Sequence, residues 1–307
     1  MASVPPISDV YDAITSKDGC IDWLLRCHIV KIPTCCNKPM VNANLGDKKY
    51  MYRCNSGRSC TKKRSLFKNT FFGDTKLSCH VIMLICYLWA GQINHKSIVM
   101  LTGVNKSTIS DWMGFLRQLV SEDMKNSPEE VKVGGDGVIV EIDETKIAKR
   151  KYHRGHRVEG AWVVGGVERT PERKFFAVRV PDRSAATLIE VINRFVLPGS
   201  TLYSDCWGGY NSEQLDELGI SHLTVNHSLY YKDPITGVHT NTIEGTWAGL
   251  KLVIPKRQRS GEKVDDHLDV FVWRRLNEGN WWGRLLDLIR DTSYEWDQKN
   301  YCNYYCC

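Results

Sequence analysis

GVIVEIDETKIA, residues 137–148, decides how this chain folds. Val138, Ile139, Val140, Ile142 and Ile147 make it apolar enough for a central β-strand. Asp143 sits in its middle, where an acid is costly unless paired or metal-bound. Glu141 and Glu144 flank Asp143 and are expected on the opposite face, because side chains alternate along a strand. Downstream, GAWVVGGVER (160–169), KFFAVRVPD (174–182), TLYSDCW (201–207) and HLTVNHS (222–228) read as further strands. AATLIEVINRFV (185–196), SEQLDELG (212–219) and NTIEGTWAGLKLVI (241–254) read as helices. Strands in succession, then strands alternating with helices, predict an α/β domain with a mixed sheet flanked by helices.

The same segment carries the first of a set of candidate acids. Asp205 ends a strand before a Gly-rich turn, where ligands gather in such sheets. Glu244 falls on the first turn of a helix, a position that also suits the helix dipole. Three acids brought close would raise one another's pKa values. A pair of divalent cations removes that penalty, and carboxylates with water favour Mg²⁺ or Mn²⁺. Two such ions about 3.5–4 Å apart suit in-line phosphoryl displacement. Lys251 lies two helical turns beyond Glu244 and faces the same side, within reach of a phosphate.

Upstream the texture differs. The chain has 307 residues and net charge +6, and its charge distribution matters more than the total. Arg53, Arg58, Lys62, Lys63, Arg64 and Lys68 form one basic cluster. TKIAKRKYHRGHRV (145–158), with Lys149, Arg150, Lys151 and Arg154, forms a second, and Lys251, Lys256, Arg257 and Arg259 form a third. Separated clusters of this kind suit a phosphate backbone. KLSCHVIMLICYLWAG (76–91) predicts a largely buried helix. Residues 93–120 then read as two helices broken at Gly103, with Asn105 to Ser107 offering an N-cap. That is the spacing of a helix-turn-helix, or of a plain helical hairpin; in the first case Ser107 and Thr108 open the DNA-reading helix. No apolar run reaches the about 18–20 residues of a membrane span, and no secretory signal is evident at the amino terminus.

Of twelve cysteines, six lie within residues 20–60. Cys36, Cys54 and Cys60 are candidate zinc ligands. In KIPTCCNKPM (31–40) two cysteines are adjacent and no Cys-x-x-Cys knuckle is present. Structural zinc takes four N or S ligands. Cys20, Cys27 or His28 are the expected sources of the fourth, unless the site is degenerate.

EIDETK, KYHRG, WVVGGVER, PDRSAATL, SDCWGGY, VNHS and HTNTIEGTW, in this order between Val138 and Lys251, resemble the catalytic domain of Merlin-superfamily DNA transposons and their bacterial insertion-sequence relatives. The resemblance implies an RNase H-like DDE transposase domain with Asp143, Asp205 and Glu244 as the triad and two Mg²⁺ or Mn²⁺ ions. In some bacterial relatives Asn takes the third position, which makes Asn241 a rival or helper to Glu244; His227 and His239 are candidate supports. Cys54 and Cys60 resemble the second half of the zinc ribbon that precedes this domain in the family. The organisation expected is a Cys/Lys-rich arm (1–75), a helix-turn-helix region (76–122), a linker (123–136), the catalytic domain (137–260) and C-terminal helices with a Cys-containing tail (261–307). The expected function is DNA transposition on terminal inverted repeats and target DNA, as a homo-oligomer in the nucleus. A host-adopted DNA-binding protein without transposition activity is the alternative.

Overall fold

A computed structural model describes residues 3–292 except 44–49, 58, 59, 74, 148–159, 206–208, 227, 228, 230, 260 and 262. The chain divides into two compact units, 1–116 with 278–307, and 117–277.

The first unit begins with α1 (Tyr11–Thr15) and α2 (Lys17–Arg26), the latter capped by the Ser16 side chain, which accepts from the Gly19 amide. Short strands follow: β1 (Thr34–Cys35), β2 (Lys38–Pro39), β3 (Val41–Asn42), β4 (Met51–Arg53) and β5 (Lys63–Ser65). β1 and β2 form an antiparallel hairpin, and β3, β4 and β5 an antiparallel sheet. The buried helix predicted at 76–91 is α3 (Cys79–Ala90), whose Ile82, Met83, Ile85 and Cys86 are fully buried. α4 (His95–Thr102) ends at Gly103, whose φ of 66° suits glycine. α5 (Lys106–Asn126) starts where the Asn105 side chain accepts from the Ser107 amide at 2.9 Å. The division between the units falls within α5. α10 (Trp281–Asp291) belongs to the first unit and sets Trp282 edge-on against Tyr87.

The second unit holds β6 (Val133–Gly134), β7 (Ile139–Ile147), β8 (Ala161–Glu168), β9 (Phe175–Val180), α6 (Ala185–Phe195), β10 (Val196–Leu197), β11 (Thr201–Asp205), α7 (Ser212–Glu217), β12 (Ser221–Val225), α8 (Asn241–Val253) and α9 (Lys263–Leu276). Its main sheet runs β12-β11-β7-β8-β9. β7, β8 and β9 are antiparallel neighbours, whereas β12, β11 and β7 are parallel. The mixed sheet expected from the sequence is therefore present. Each face has its own core. Val140, Ile142, Val164, Phe176 and Leu202 pack with Leu188 and Ile192 of α6 and Leu215 of α7. Ile147, Val163, Val167 and Phe175 pack with Ile243, Trp247 and Leu250 of α8 and Leu268 and Val272 of α9. Among the described residues no helix is long and apolar enough to cross a membrane.

Candidate active site

β7 and β11 run parallel with Tyr203 beside Glu141. Asp143 and Asp205 stand two residues beyond that last pair, Asp143 paired with Gly165 of β8 and Asp205 with Val225 of β12. Odd-numbered side chains of β7 face α8, so Asp143 looks toward that helix. The Trp247 indole of α8 donates to the Asp143 carboxylate at 3.0 Å. Gly165, paired with Asp143 across β7 and β8, makes room for the ring. A Cβ there would lie 2.5 Å from Trp247 Cη2 and 2.7 Å from the Phe176 carbonyl oxygen.

Burial, then the neighbouring Glu144 charge, pushes Asp143 up from 3.8 to about 7, and Asp205 adds to the rise. Glu144 points to the other face, as expected. Its carboxylate accepts from the Tyr210 hydroxyl and lies 3.8 Å from Arg183. Burial raises its pKa too, with Asp205 contributing. The electrostatics thus place Asp143, Glu144 and Asp205 in one neighbourhood.

Glu141 corrects the expectation that it lies away from Asp143. Two residues along a strand return to the same face. Glu141 is fully buried and receives the Thr242 amide at 2.8 Å, the Thr242 hydroxyl at 2.8 Å and the Ile243 amide at 3.0 Å. Arg169 Nε stands 3.2 Å from it.

Glu244 lies exposed on α8, one turn before Trp247, with the Thr240 hydroxyl 3.4 Å from its carboxylate. Lys251 is half-buried in the last turn of the same helix. Asn241 Oδ1 is buried and has no hydrogen-bond partner, a state that a buried oxygen rarely tolerates without a ligand. His239 contacts Arg169 and stands 3.5 Å from Glu141, which makes it a support of that carboxylate. His227, Lys149, Arg150, Lys151 and Arg154 lie outside the described residues. Lys62, Lys63 and Arg64 are exposed on and beside β5; Ser107 and Thr108 open α5, exposed and half-buried respectively.

Among the described residues, one group of His, Cys, Asp or Glu has ligand atoms all within 4.8 Å: Cys35, Cys36, Cys54 and Cys60. Cys35, not Cys20, Cys27 or His28, completes the set. Cys20 is instead buried and hydrogen-bonded to Cys79, and Cys27 is exposed. The reason is the β1–β2 turn. Cys36 and Asn37 have φ of 51° and 57°, the conformation of a two-residue hairpin turn that matches strand twist. That tight turn lets adjacent cysteines share one cluster. Cys35 Sγ lies 3.8 Å from Cys36 Sγ and 3.7 Å from Cys60 Sγ. Sulfurs about 2.3 Å from a tetrahedral ion stand about 3.8 Å apart. Desolvation, then hydrogen bonding within the cluster, pushes the Cys35 thiol up to about 12, whereas hydrogen bonds from Ser56, first its side chain and then its backbone, lower Cys54 to about 6.

Residues 130–275 match the family described as the ISXO2-like transposase domain. No curated protein sequence matches the chain significantly. Two solved structures give weak likenesses. One is a chain in the simian T-cell lymphotropic virus intasome in complex with the PP2A regulatory subunit B56 gamma. It has 15% identity and a TM-score of 0.26, and the match covers 53% of this chain and 51% of that one. This chain therefore spans about half the length of that relative. The other is a chain in a pre-cleavage Mos1 transpososome, with 11% identity, a TM-score of 0.25, and coverage of 73% and 82%. Likeness of this degree speaks to neither activity nor partner.

Proposed function

We propose that this chain, which carries a transposase domain related to those of insertion sequences, is a DNA transposase with Asp143, Asp205 and Glu244 as its catalytic acids. The observation that carries the reading is that Asp143 and Asp205 lie on neighbouring parallel strands, two residues past their last pair, with the Asp205 charge acting on Asp143 and Asp143 bonded to Trp247 of α8, the helix that bears Glu244. The strand order, with antiparallel β7 to β9 and parallel β11 and β12, supports an RNase H-like domain.

The donor set fits divalent cations. Asp143 is raised to about 7 by burial and like charge, the state that a bound cation would reverse. Asn241 offers a buried oxygen with no partner. Two Mg²⁺ or Mn²⁺ ions held by Asp143, Asp205 and Glu244 would activate the attacking oxygen and stabilise the leaving one. Trp247 aims Asp143, and Glu144 and Tyr210 steady the end of β7. Lys251, two helical turns beyond Glu244 on α8, would contact a phosphate beside the scissile bond.

In the amino-terminal unit, Cys35, Cys36, Cys54 and Cys60 would hold a structural Zn²⁺. That ribbon-like arm, the α4–α5 helix-turn-helix with Ser107 and Thr108, and the basic residues Lys62, Lys63 and Arg64 would bind duplex DNA at the element's terminal inverted repeats. The enzyme would work as a homo-oligomer in the nucleus.

The test is Mg²⁺-dependent cleavage of DNA carrying the element's own ends. Asp205→Ala should cut slower by on the order of 10³-fold, the scale of removing transition-state electrostatics, while binding the same DNA. Tight binding without cleavage by the unaltered chain would instead favour a DNA-binding protein that has lost transposition.

A further inference from the structure

Glu141 is a fully buried carboxylate that the catalytic reading leaves without a task. Helices usually cap their first amides with a local side chain. The N-cap of α8, Thr240, makes no such bond. Glu141 supplies it from β7, 101 residues earlier, by accepting the Thr242 and Ile243 amides on one oxygen and the Thr242 hydroxyl on the other. Arg169, 3.2 Å away, balances the buried charge. Arg169 also contacts His239 Nε2, while His239 Nδ1 lies 3.5 Å from Glu141 and accepts from the Asn241 amide at 3.4 Å.

β7 therefore grips α8 twice. Glu141 holds the first turn, and Asp143 accepts from Trp247. From Glu141 to Asp143 a strand rises about 6.6 Å. From Thr242 to Trp247 a helix rises about 7.5 Å. The near-equality keeps strand and helix in step between the two grips, and Glu244 lies between them. A local cap would satisfy the same amides but would tie α8 to nothing on β7.

We propose that Glu141 is a positioning residue that fixes the register of α8 on β7, and so the reach of Glu244 toward Asp143. The inference rests on the catalytic reading above. It is tested on the full chain with Glu141→Gln, which keeps the volume and one acceptor but loses the charge. Three quantities are read: DNA affinity, the Mg²⁺ concentration for half-maximal cleavage, and the Trp247 indole N–H resonance in ¹⁵N-tryptophan-labelled protein, assigned with Trp247→Phe. DNA affinity should hold within about twofold. The Mg²⁺ requirement should rise by about 10–100-fold, the usual effect of losing a partner behind a metal ligand, and the resonance should move. Thr242→Val, which loses the hydroxyl contact alone, should change both in the same direction by less. A Glu141→Gln protein with a lower melting temperature but an unchanged Mg²⁺ requirement and an unmoved resonance would overturn the proposal. If the unaltered chain cleaves nothing, the catalytic reading fails by itself. The resonance then decides: movement supports the coupling of Glu141 to α8, and constancy overturns it.

Discussion

The cysteine cluster and the carboxylate cluster solve opposite problems. Four sulfurs from Cys35, Cys36, Cys54 and Cys60 lie within 4.8 Å of one another. Asp143, Asp205 and Glu244 do not converge to that degree. Hydrogen bonds from Ser56, and then from Cys60 and Cys35, lower Cys54 to about 6, so a thiolate there is held by its neighbours and the sulfurs can crowd before an ion arrives. Carboxylates are charged and repel, and the Asp205 charge accordingly helps to raise Asp143. Tetrahedral sulfur closure is the mark of a structural site, and open oxygen sites leave room for water and substrate. On the reading proposed here, one cluster serves stability and the other chemistry.

The sharpest way to break this contrast is to remove the sulfur site. Structural zinc in small modules contributes on the order of 10–16 kcal/mol, more than any single contact. Purified chain should carry about one zinc ion. Cys35→Ser should abolish it and melt the amino-terminal unit, read as lost zinc by elemental analysis and a lost thermal transition. Cys27→Ser should keep both, because Cys27 is exposed and outside the cluster. The reverse pattern would return the fourth ligand to α2 and its end.

Gly165 sharpens the other half. A methyl group there meets the Trp247 ring at 2.5 Å and the Phe176 backbone oxygen at 2.7 Å, and a backbone atom cannot swing away. Gly165→Ala should destabilise the sheet unit by about 1–3 kcal/mol, the usual cost of overpacking, and pull Trp247 off Asp143. For Gly166→Ala the nearest atoms are those of the Phe176 ring, the first at 2.5 Å, and no backbone atom is among them. That substitution should cost less, and equal urea midpoints for the two variants would argue against the close approach of Trp247.

These residues also show what the sequence could and could not reveal. Asp143 and Asp205 were legible because apolar strand runs and a strand end before glycines are local signals. The positions of β7 to β9, β11, β12 and α8 follow from the same periodicities. Strand alternation alone puts Glu141 on the face of Asp143, against its expected place. Its task was not legible, since the amides it caps lie 101 residues away. Cys35 was missed because an adjacent pair breaks the usual ligand spacing. Only the positive φ of Cys36 and Asn37 turns both sulfurs into one cluster. The close approach of Trp247 to Gly165 depends on helix packing, which no strand pattern encodes.

The effect expected at Asp143 is graded by pH, and its sign is informative. The unfolded carboxyl releases its proton near 3.8, and the folded one holds it to about 7. Between those values the folded state binds more protons, so stability falls as pH rises, and the whole cost is present above about pH 7. Asp143→Asn keeps an acceptor for Trp247 and removes the charge. In metal-free buffer the variant should match the unaltered chain near pH 4 and exceed it above pH 7 by at most about 4 kcal/mol, the full linkage of that shift, a rise of up to about 8–16 °C in the sheet unit's melting temperature. Mg²⁺ should narrow that gap by stabilising only the chain that keeps the carboxylate. Parallel melting curves across this range would mean that Asp143 is already compensated within the protein. The carboxylate cluster would then be as complete without metal as the sulfur cluster is in geometry, and the contrast between them would fail.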